Sequence, residues 1–413
     1  MSSRKRWRSV CSSGFCEPAF ADVRSEFERN FSERGELGAS ICVIHDGATV
    51  VDLWGGSVDL AGTVPWQPDT MVVVFSCTKG ATALCAHILA SCNELDLDAP
   101  VAHYWPSFAG QGKAEITVRM LLNHQAGLPG LSVPLPDGAL NDFDAMVTLI
   151  ERERPLWQPG TTHGYHAVTF GWLVGEVIRR VSGESVGSFL RRHVAEPLGV
   201  DFWIGLPPSE EHRVARTVLA QTGAAAVGSH VAEALAQDRP IQRALANSLS
   251  DFLTPGACDA QGTHHAEIPA SNGIANARAL ARIYAALALG GEIDGVRLVD
   301  EDQIAQMGAT ESASSKDAVT FEPSRFSPGF EKANSGRTAL LTGDGMTLSE
   351  SAFGHAGLGG SVGFADPSGR FSFGYVLNRH PAPDQATNSR SQPLIDATYR
   401  ALGHRSCRSG KWA

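Results

Sequence analysis

The sequence predicts an α+β fold: one antiparallel sheet assembled from both ends of the chain and flanked by the terminal helices, with a mostly helical domain inserted between its halves. Three observations lead there. Strand-like runs joined by a tight turn fill residues 41–54, the stretch from residue 76 to about residue 193 is dominated by helical patterns, and strand-like runs return at 353–377 before a last helical stripe. Residues 1–75 and 270–413 are therefore assigned to the sheet domain and 76–269 to the helical domain. The seam between two such lobes is where a site is expected.

The elements follow in order. Phe20, Val23, Phe27 and Phe31 recur at helical spacing with charges between them, and Gly35 closes the helix. Residues 41–45 and 50–54 alternate around Asp46-Gly47, a pair that accepts the positive φ of a hairpin turn. After a polar connection with Pro65 and Pro68, the apolar run Val72-Val73-Val74-Phe75 delivers the chain to Ser76, where helix formers begin and continue to about Cys92. A short helix over 116–124 stops at Gly127 and Pro129. A broad stripe from Val168 to Val181 ends at Gly183, and a second helix runs from Ser185 to about His193. The alanine-rich stretch 223–243 has weak periodicity and receives no assignment beyond a wall or cover. Ala277, Leu280, Ala281, Tyr284 and Leu287 restore the helical period, closed by Gly290-Gly291. Strands at 353–357, 361–365 and 371–377 and a helix from Pro393 with Leu394, Thr398 and Leu402 on one face complete the chain.

Composition narrows the function. A formal net charge of −10, with no Lys/Arg cluster beyond residues 4–8, argues against a nucleic-acid partner and against an anionic membrane surface. That basic start is not followed by an apolar segment, and no apolar run reaches membrane-spanning length, so a cytoplasmic protein is expected. The eight cysteines lie in unlike settings, with Cys42 in a strand, Cys85 and Cys92 on a helix and Cys11 and Cys407 near the ends, and most are expected to be buried thiols. No C-x-x-C pair and no H-E-x-x-H spacing occurs, so neither a metal nor any other cofactor is expected.

The chemistry centres on Ser76-Cys77-Thr78-Lys79. Residues three apart share a helix face, which sets the lysine amine beside the serine hydroxyl. The positive helix end and burial both disfavour an ammonium there, so a neutral lysine can take the serine proton. S-x-x-K alone is a weak pattern, and the chain holds a second copy from Ser2 to Lys5. By itself Tyr165 is a core tyrosine capping a helix, and His124 is a buried residue bonded to backbone in a turn.

Four stretches taken together carry more: Ser76-Cys77-Thr78-Lys79, the 121–128 stretch Leu-Leu-Asn-His-Gln-Ala-Gly-Leu, Pro159-Gly160 leading to Tyr165, and Gly354-His355-Ala356-Gly357 in a late strand. In this order and rough spacing the chain, from about residue 20 to its end, resembles the serine β-lactamase and penicillin-binding-protein superfamily, in particular its class C-like members and the family VIII carboxylesterases. The resemblance implies a β-lactamase/transpeptidase-like fold. It implies Ser76 as nucleophile, Lys79 and Tyr165 as general base and acid, and the backbone N–H groups of Ser76 and Leu358 as oxyanion hole. His355, Ala356 and Gly357 take the place of the K-T-G strand along the substrate, with His166 beside them. His355 as a strand residue bonded only to a neighbour stays open.

Two departures bear on the substrate. Ala167 stands where the Y-x-N motif has its asparagine, and His355, partly charged near neutrality, stands where K-T-G has its lysine. Both weaken recognition of an acylamide bearing a carboxylate. Ser185 and Ser361 lie in G-x-S-x-G matches, but neither has the strand-then-helix context of a nucleophile elbow. The expectation is a serine hydrolase forming an acyl-enzyme on Ser76, a carboxylesterase for a small-molecule ester with short acyl groups. A β-lactamase or D-amino-acid peptidase is the alternative within enzymes. A non-catalytic penicillin sensor or assembly protein is the alternative outside them. Oligomeric state is not legible.

Overall fold

The computed structural model describes residues 11–219, 239–249, 254, 256–333, 346–381, 389–406 and 411–413. The alanine-rich 223–243 stretch falls mostly outside these residues, as do Ser2, Lys5 and Cys407.

The chain opens with Ser13–Cys16 (β1), the helix Ala21–Glu33 (α1) and the hairpin Gly38–His45 (β2) and Ala48–Gly56 (β3). The hairpin turns on Asp46 and Gly47, both at positive φ of 48° and 81°, the geometry whose twist matches that of the strands. Val72–Val73 (β4) leads to the helix Cys77–Ser91 (α2). Val118–Leu122 (α3), Phe143–Arg152 (α4) and Thr169–Ser182 (α5) follow, and Gly183 caps the last in the left-handed region at φ 75°. Phe202–Trp203 (β5) and Ile274–Ala275 (β6) precede the helix Ala277–Ala288 (α6) and a small hairpin of Glu292–Ile293 (β7) and Val296–Arg297 (β8). Ser312–Ser314 (β9), Ser324–Ser327 (β10), Phe330–Lys332 (β11), Phe353–Ala356 (β12), Val362–Asp366 (β13), Phe371–Leu377 (β14) and the helix Ser391–Ala401 (α7) close the fold.

Nine of these strands form one antiparallel sheet in the order β1-β3-β2-β14-β13-β12-β11-β10-β9, so strands from the two ends of the chain meet where β2 pairs β14. Successive side chains of β2 point to opposite faces. Ala39, Ile41 and Val43 join the core under α1 and α7, which contribute Phe27, Phe31, Leu394 and Tyr399, whereas Cys42 and Ile44 join the larger core that contains α6 and α2. With both faces covered the strand has no polar side to show, which explains its nearly unbroken apolar run. Each fully buried aliphatic or aromatic side chain contributes about 1.5–3 kcal/mol.

Two parts of the sheet are missing from the pattern in the sequence. β1 lies in the stretch before Phe20, and β9 to β11 lie in 312–332, for which the sequence suggests no strand. These strands are three or four residues long and, β11 apart, rich in Ser, too short for an alternation to show. A second sheet, β4-β6-β5, joins the residues just before Ser76 to the end of the helical segment and to the start of α6. It fixes the entry to α2.

Candidate active site

Ser76 is the N-cap residue of α2, with φ −65° and ψ −10°. An N-cap serine ordinarily spends its oxygen on an N–H of the first helical turn. Here the side chain makes no such bond. The turn into the helix is made instead by Phe75 at φ 48°, uncommon for an aromatic residue, and by the Cys77 and Thr78 N–H groups bonding back to Val74 and Phe75. Thr78 Oγ1 also accepts the Gly273 N–H at 2.9 Å. The serine oxygen is thus left for other partners.

Those partners are Lys79 Nζ at 3.1 Å and Tyr165 Oη at 2.9 Å. Lys79 is fully buried, and its nitrogen also donates to Ala167 O at 2.7 Å and Ala270 O at 3.0 Å. Burial pulls its pKa down to about 7, against the opposing charges of Glu331 and Cys77. A neutral amine has two N–H groups and one lone pair. The two carbonyls take the N–H groups, and the lone pair is left for the Ser76 hydroxyl. Burial drives the Tyr165 phenol the other way, well above its usual pKa, despite the bond to Ser76. Tyr165 is therefore a phenol, a proton donor and not a resting base.

Tyr165 is held from behind. Its ring packs on His124, Phe326 and His355, with centroids 5.0, 6.1 and 6.2 Å away. Its N–H donates to both oxygens of Asp317, at 3.2 and 3.1 Å. The same fully buried carboxylate accepts the N–H groups of Val319 and Thr320 and the Ser324 hydroxyl. Sequence reasoning missed Asp317, a lone acid in a loop with no local pattern to mark it.

His124 lies at φ 64° behind the tyrosine, and its Nδ1 accepts the His166 N–H at 3.2 Å. Desolvation holds it well below the usual imidazole pKa. His166 departs from the expected substrate side. It is fully buried, Nδ1 lies 2.7 Å from Gly164 O, and Nε2 accepts the Leu128 N–H at 3.0 Å, so both ring nitrogens are committed to backbone. Its pKa is pulled down to about 3 by burial. His166 is a strut that ties the tyrosine loop to the 126–128 turn.

His355 is likewise 1% exposed, with Nδ1 2.8 Å from Ala356 O. Burial lowers its pKa to about 3, followed by repulsion from Lys79. The partial charge expected of it is therefore corrected to none. Next to it, Gly357 presses on the turn that leads into Ser76: a Cβ there would lie 2.2 Å from Val74 O. Ala356 and Gly357 so run directly past α2, and Cys77 Sγ bonds His355 O at 3.3 Å. Among the described residues, neither the Ser76 N–H nor the Leu358 N–H has a protein acceptor. Glu331, also missed, sits one strand over on β11 and accepts the Ala356 N–H at 3.2 Å.

The two rival serines lack this setting. Ser185 caps the short helix Val186–Leu190 and donates to Glu267 at 2.6 Å, and Ser361 is buried in the turn that returns its carbonyl to Gly357 N–H.

The family model described as Beta-lactamase matches residues 25–396. The Esterase/beta-lactamase LipL of Mycobacterium tuberculosis is 37% identical over 379 residues, spanning 90% of this chain and 83% of that protein. A crystal structure of a family VIII carboxylesterase superposes with a TM-score of 0.82 at 36% identity, covering 94% of this chain and 99% of the other. A penicillin-binding protein homolog from Caulobacter crescentus does so with 0.80 at 37% identity, covering 94% and 99%.

Proposed function

The chain belongs to the beta-lactamase family, and from that premise we propose that it is a serine carboxylesterase that forms an acyl-enzyme on Ser76. The observation that carries the reading is the contact of one serine oxygen with both a lysine whose pKa is about 7 and a tyrosine held as a phenol. A pure scaffold has no use for a buried lysine kept short of its charge.

In the proposed reaction Lys79 takes the Ser76 proton as Oγ attacks the ester carbonyl. The Ser76 and Leu358 N–H groups receive the developing oxyanion, the Tyr165 hydroxyl protonates the departing alkoxide, and the lysine proton restores the tyrosine. Water then repeats the sequence in reverse and releases the acid. An ester has a better leaving group than an amide and needs less side-chain recognition. Ala167 offers no side-chain amide to an acylamide, and a neutral His355 offers no cation to a carboxylate. Two such losses, at about 1 and about 1.5–3 kcal/mol, slow β-lactam turnover by roughly 10²–10³ relative to an enzyme that has both groups.

A panel of p-nitrophenyl esters assayed beside a chromogenic cephalosporin tests this. Hydrolysis of the butyrate should exceed that of the cephalosporin, and Ser76→Ala should abolish it together with fluorophosphonate labelling. Cephalosporin turnover equal to or above ester turnover would promote the β-lactamase reading. Covalent labelling without turnover of either would promote the sensor.

A further inference from the structure

The edge of β12 next to the nucleophile is not open. β11 pairs with β12 at Glu331 opposite Gly354 and Lys332 opposite Phe353, and among the described residues no strand neighbours that side of the chain from His355 onward, where it runs past α2. Backbone donors alternate along a strand. The Gly357 N–H bonds Ser361 O on the β13 side, so the Ala356 N–H, one residue back, points the other way, to the edge that faces β11. Leu358 follows two residues on, in the turn that the Gly360 N–H closes on Gly357 O. The Leu358 donor is the one assigned above to the oxyanion. The Ala356 donor is already taken, by Glu331 Oε2 at 3.2 Å, while Oε1 of the same carboxylate lies 3.8 Å from His355 Nδ1. The Glu331 side chain remains 14% exposed.

We propose that Glu331 is a specificity-determining residue: its carboxylate permanently fills the edge donor beside the oxyanion donor, excluding substrates that bring a carboxylate of their own and restricting the enzyme to uncharged esters. The inference rests on the esterase reading and names its substrate class. A donor held by a protein carboxylate is closed to a substrate carboxylate whatever else Glu331 touches. His355, which packs beside it without charge, supplies no cation to replace the lost donor.

Two matched pairs of esters test it, phenyl butyrate against 3-carboxyphenyl butyrate for the leaving-group side and phenyl hexanoate against monophenyl glutarate for the acyl side. The wild-type protein should disfavour the carboxylate-bearing member by tenfold or more in kcat/KM on at least one side. Glu331→Ala, which frees the Ala356 N–H, should relieve that ratio by about tenfold to a hundredfold, the value of one hydrogen bond to a charged group. Glu331→Gln, whose amide oxygen still accepts the N–H, should keep the ratio within about threefold of wild type. If Glu331→Ala does not fold, Glu331→Ser is used, because its side chain is too short to reach Ala356. Equal wild-type rates within both pairs, no relief in the truncated variant, or equal relief in Glu331→Gln each overturn the inference, the last by assigning selectivity to charge and not to occupancy. Binding of phenylboronic and 3-carboxyphenylboronic acid, measured by calorimetry on the same variants, gives the same ratio without turnover. A protein that hydrolyses none of the esters thus overturns the esterase reading while the boronate ratio still decides the role of Glu331.

Discussion

Lys79 shows how a single residue is tuned by what surrounds it. Its amine is desolvated, tied to two carbonyls and opposed to the positive end of α2, and the opposing charge of Glu331 recovers only part of the loss. The proposed chemistry needs the unprotonated amine. With a pKa near 7, kcat/KM should fall about tenfold for each pH unit below 7 and level off above it. The buried histidines do not compete for this limb, since His355 and His166 are held at about 3 and His124 well below its usual value. Because the Glu331 charge holds the lysine pKa up, Glu331→Gln should move the limb to lower pH. A pH–rate profile on p-nitrophenyl butyrate that is flat from pH 5 to 8 would remove Lys79 as the base. Of these residues the sequence showed the serine–lysine pair directly, because a spacing of three on a helix is a local fact. Tyr165 emerged only through the resemblance, and Glu331 and Asp317 not at all, since each acts across tertiary contacts that no window along the chain contains.

Elements place what residues perform. The segment that carries Tyr165 has no regular structure of its own until Thr169 begins α5, so its position is imposed from outside, by the 317–324 stretch on one side and the 124–128 turn on the other. Among the described residues, every group that faces the Asp317 carboxylate through a hydrogen bond is a donor: the N–H groups of Tyr165, Val319 and Thr320 and the Ser324 hydroxyl. Asp317→Asn puts an NH₂ against these donors. It should cost about 1–3 kcal/mol of stability and lower kcat by roughly tenfold with little change in KM, the mark of a misplaced proton donor. A structural defect alone would lower kcat in any background. Measured in a Tyr165→Phe protein, the same change should leave kcat where it was, and a further drop there would show that Asp317 acts on something other than the tyrosine. The hairpin of β2 and β3 was readable because Asp46-Gly47 has one good use and the flanking runs are long. β9 to β11 were not, because three or four residues cannot display a period and their pairing is stabilised by the rest of the sheet.

At the scale of the molecule, a sheet built from both termini must keep those termini together, or the strand that carries His355 drifts from the helix that carries Ser76. The closure is a buried polar clasp. Glu36 and Arg390, 354 residues apart, pair at 3.2 Å with the side chains of both almost wholly buried. Tyr375 donates to the other Glu36 oxygen at 2.5 Å, and Asn30 donates to Tyr375 Oη and to Arg390 O, both at 3.2 Å. Arg390 also donates to the carbonyls of Arg34 and Gly35. One cluster therefore joins the end of α1, β14 and the start of α7. A buried pair is not a large source of net stability, but breaking one side of it leaves a desolvated charge and typically costs 3–5 kcal/mol. Glu36→Ala should accordingly lower stability by about that amount, whereas Glu36→Gln, which still accepts the Tyr375 hydroxyl, should cost less. Glu36 bonds Tyr375, whose side chain belongs to the core under α1 and α7 and not to the one that contains α2. The folded fraction should keep its kcat, and esterase activity and far-ultraviolet ellipticity should be lost in one coincident urea transition. Activity lost at lower urea than the ellipticity would mean that the two lobes separate before the sheet melts, and that the clasp guards the sheet without guarding the site.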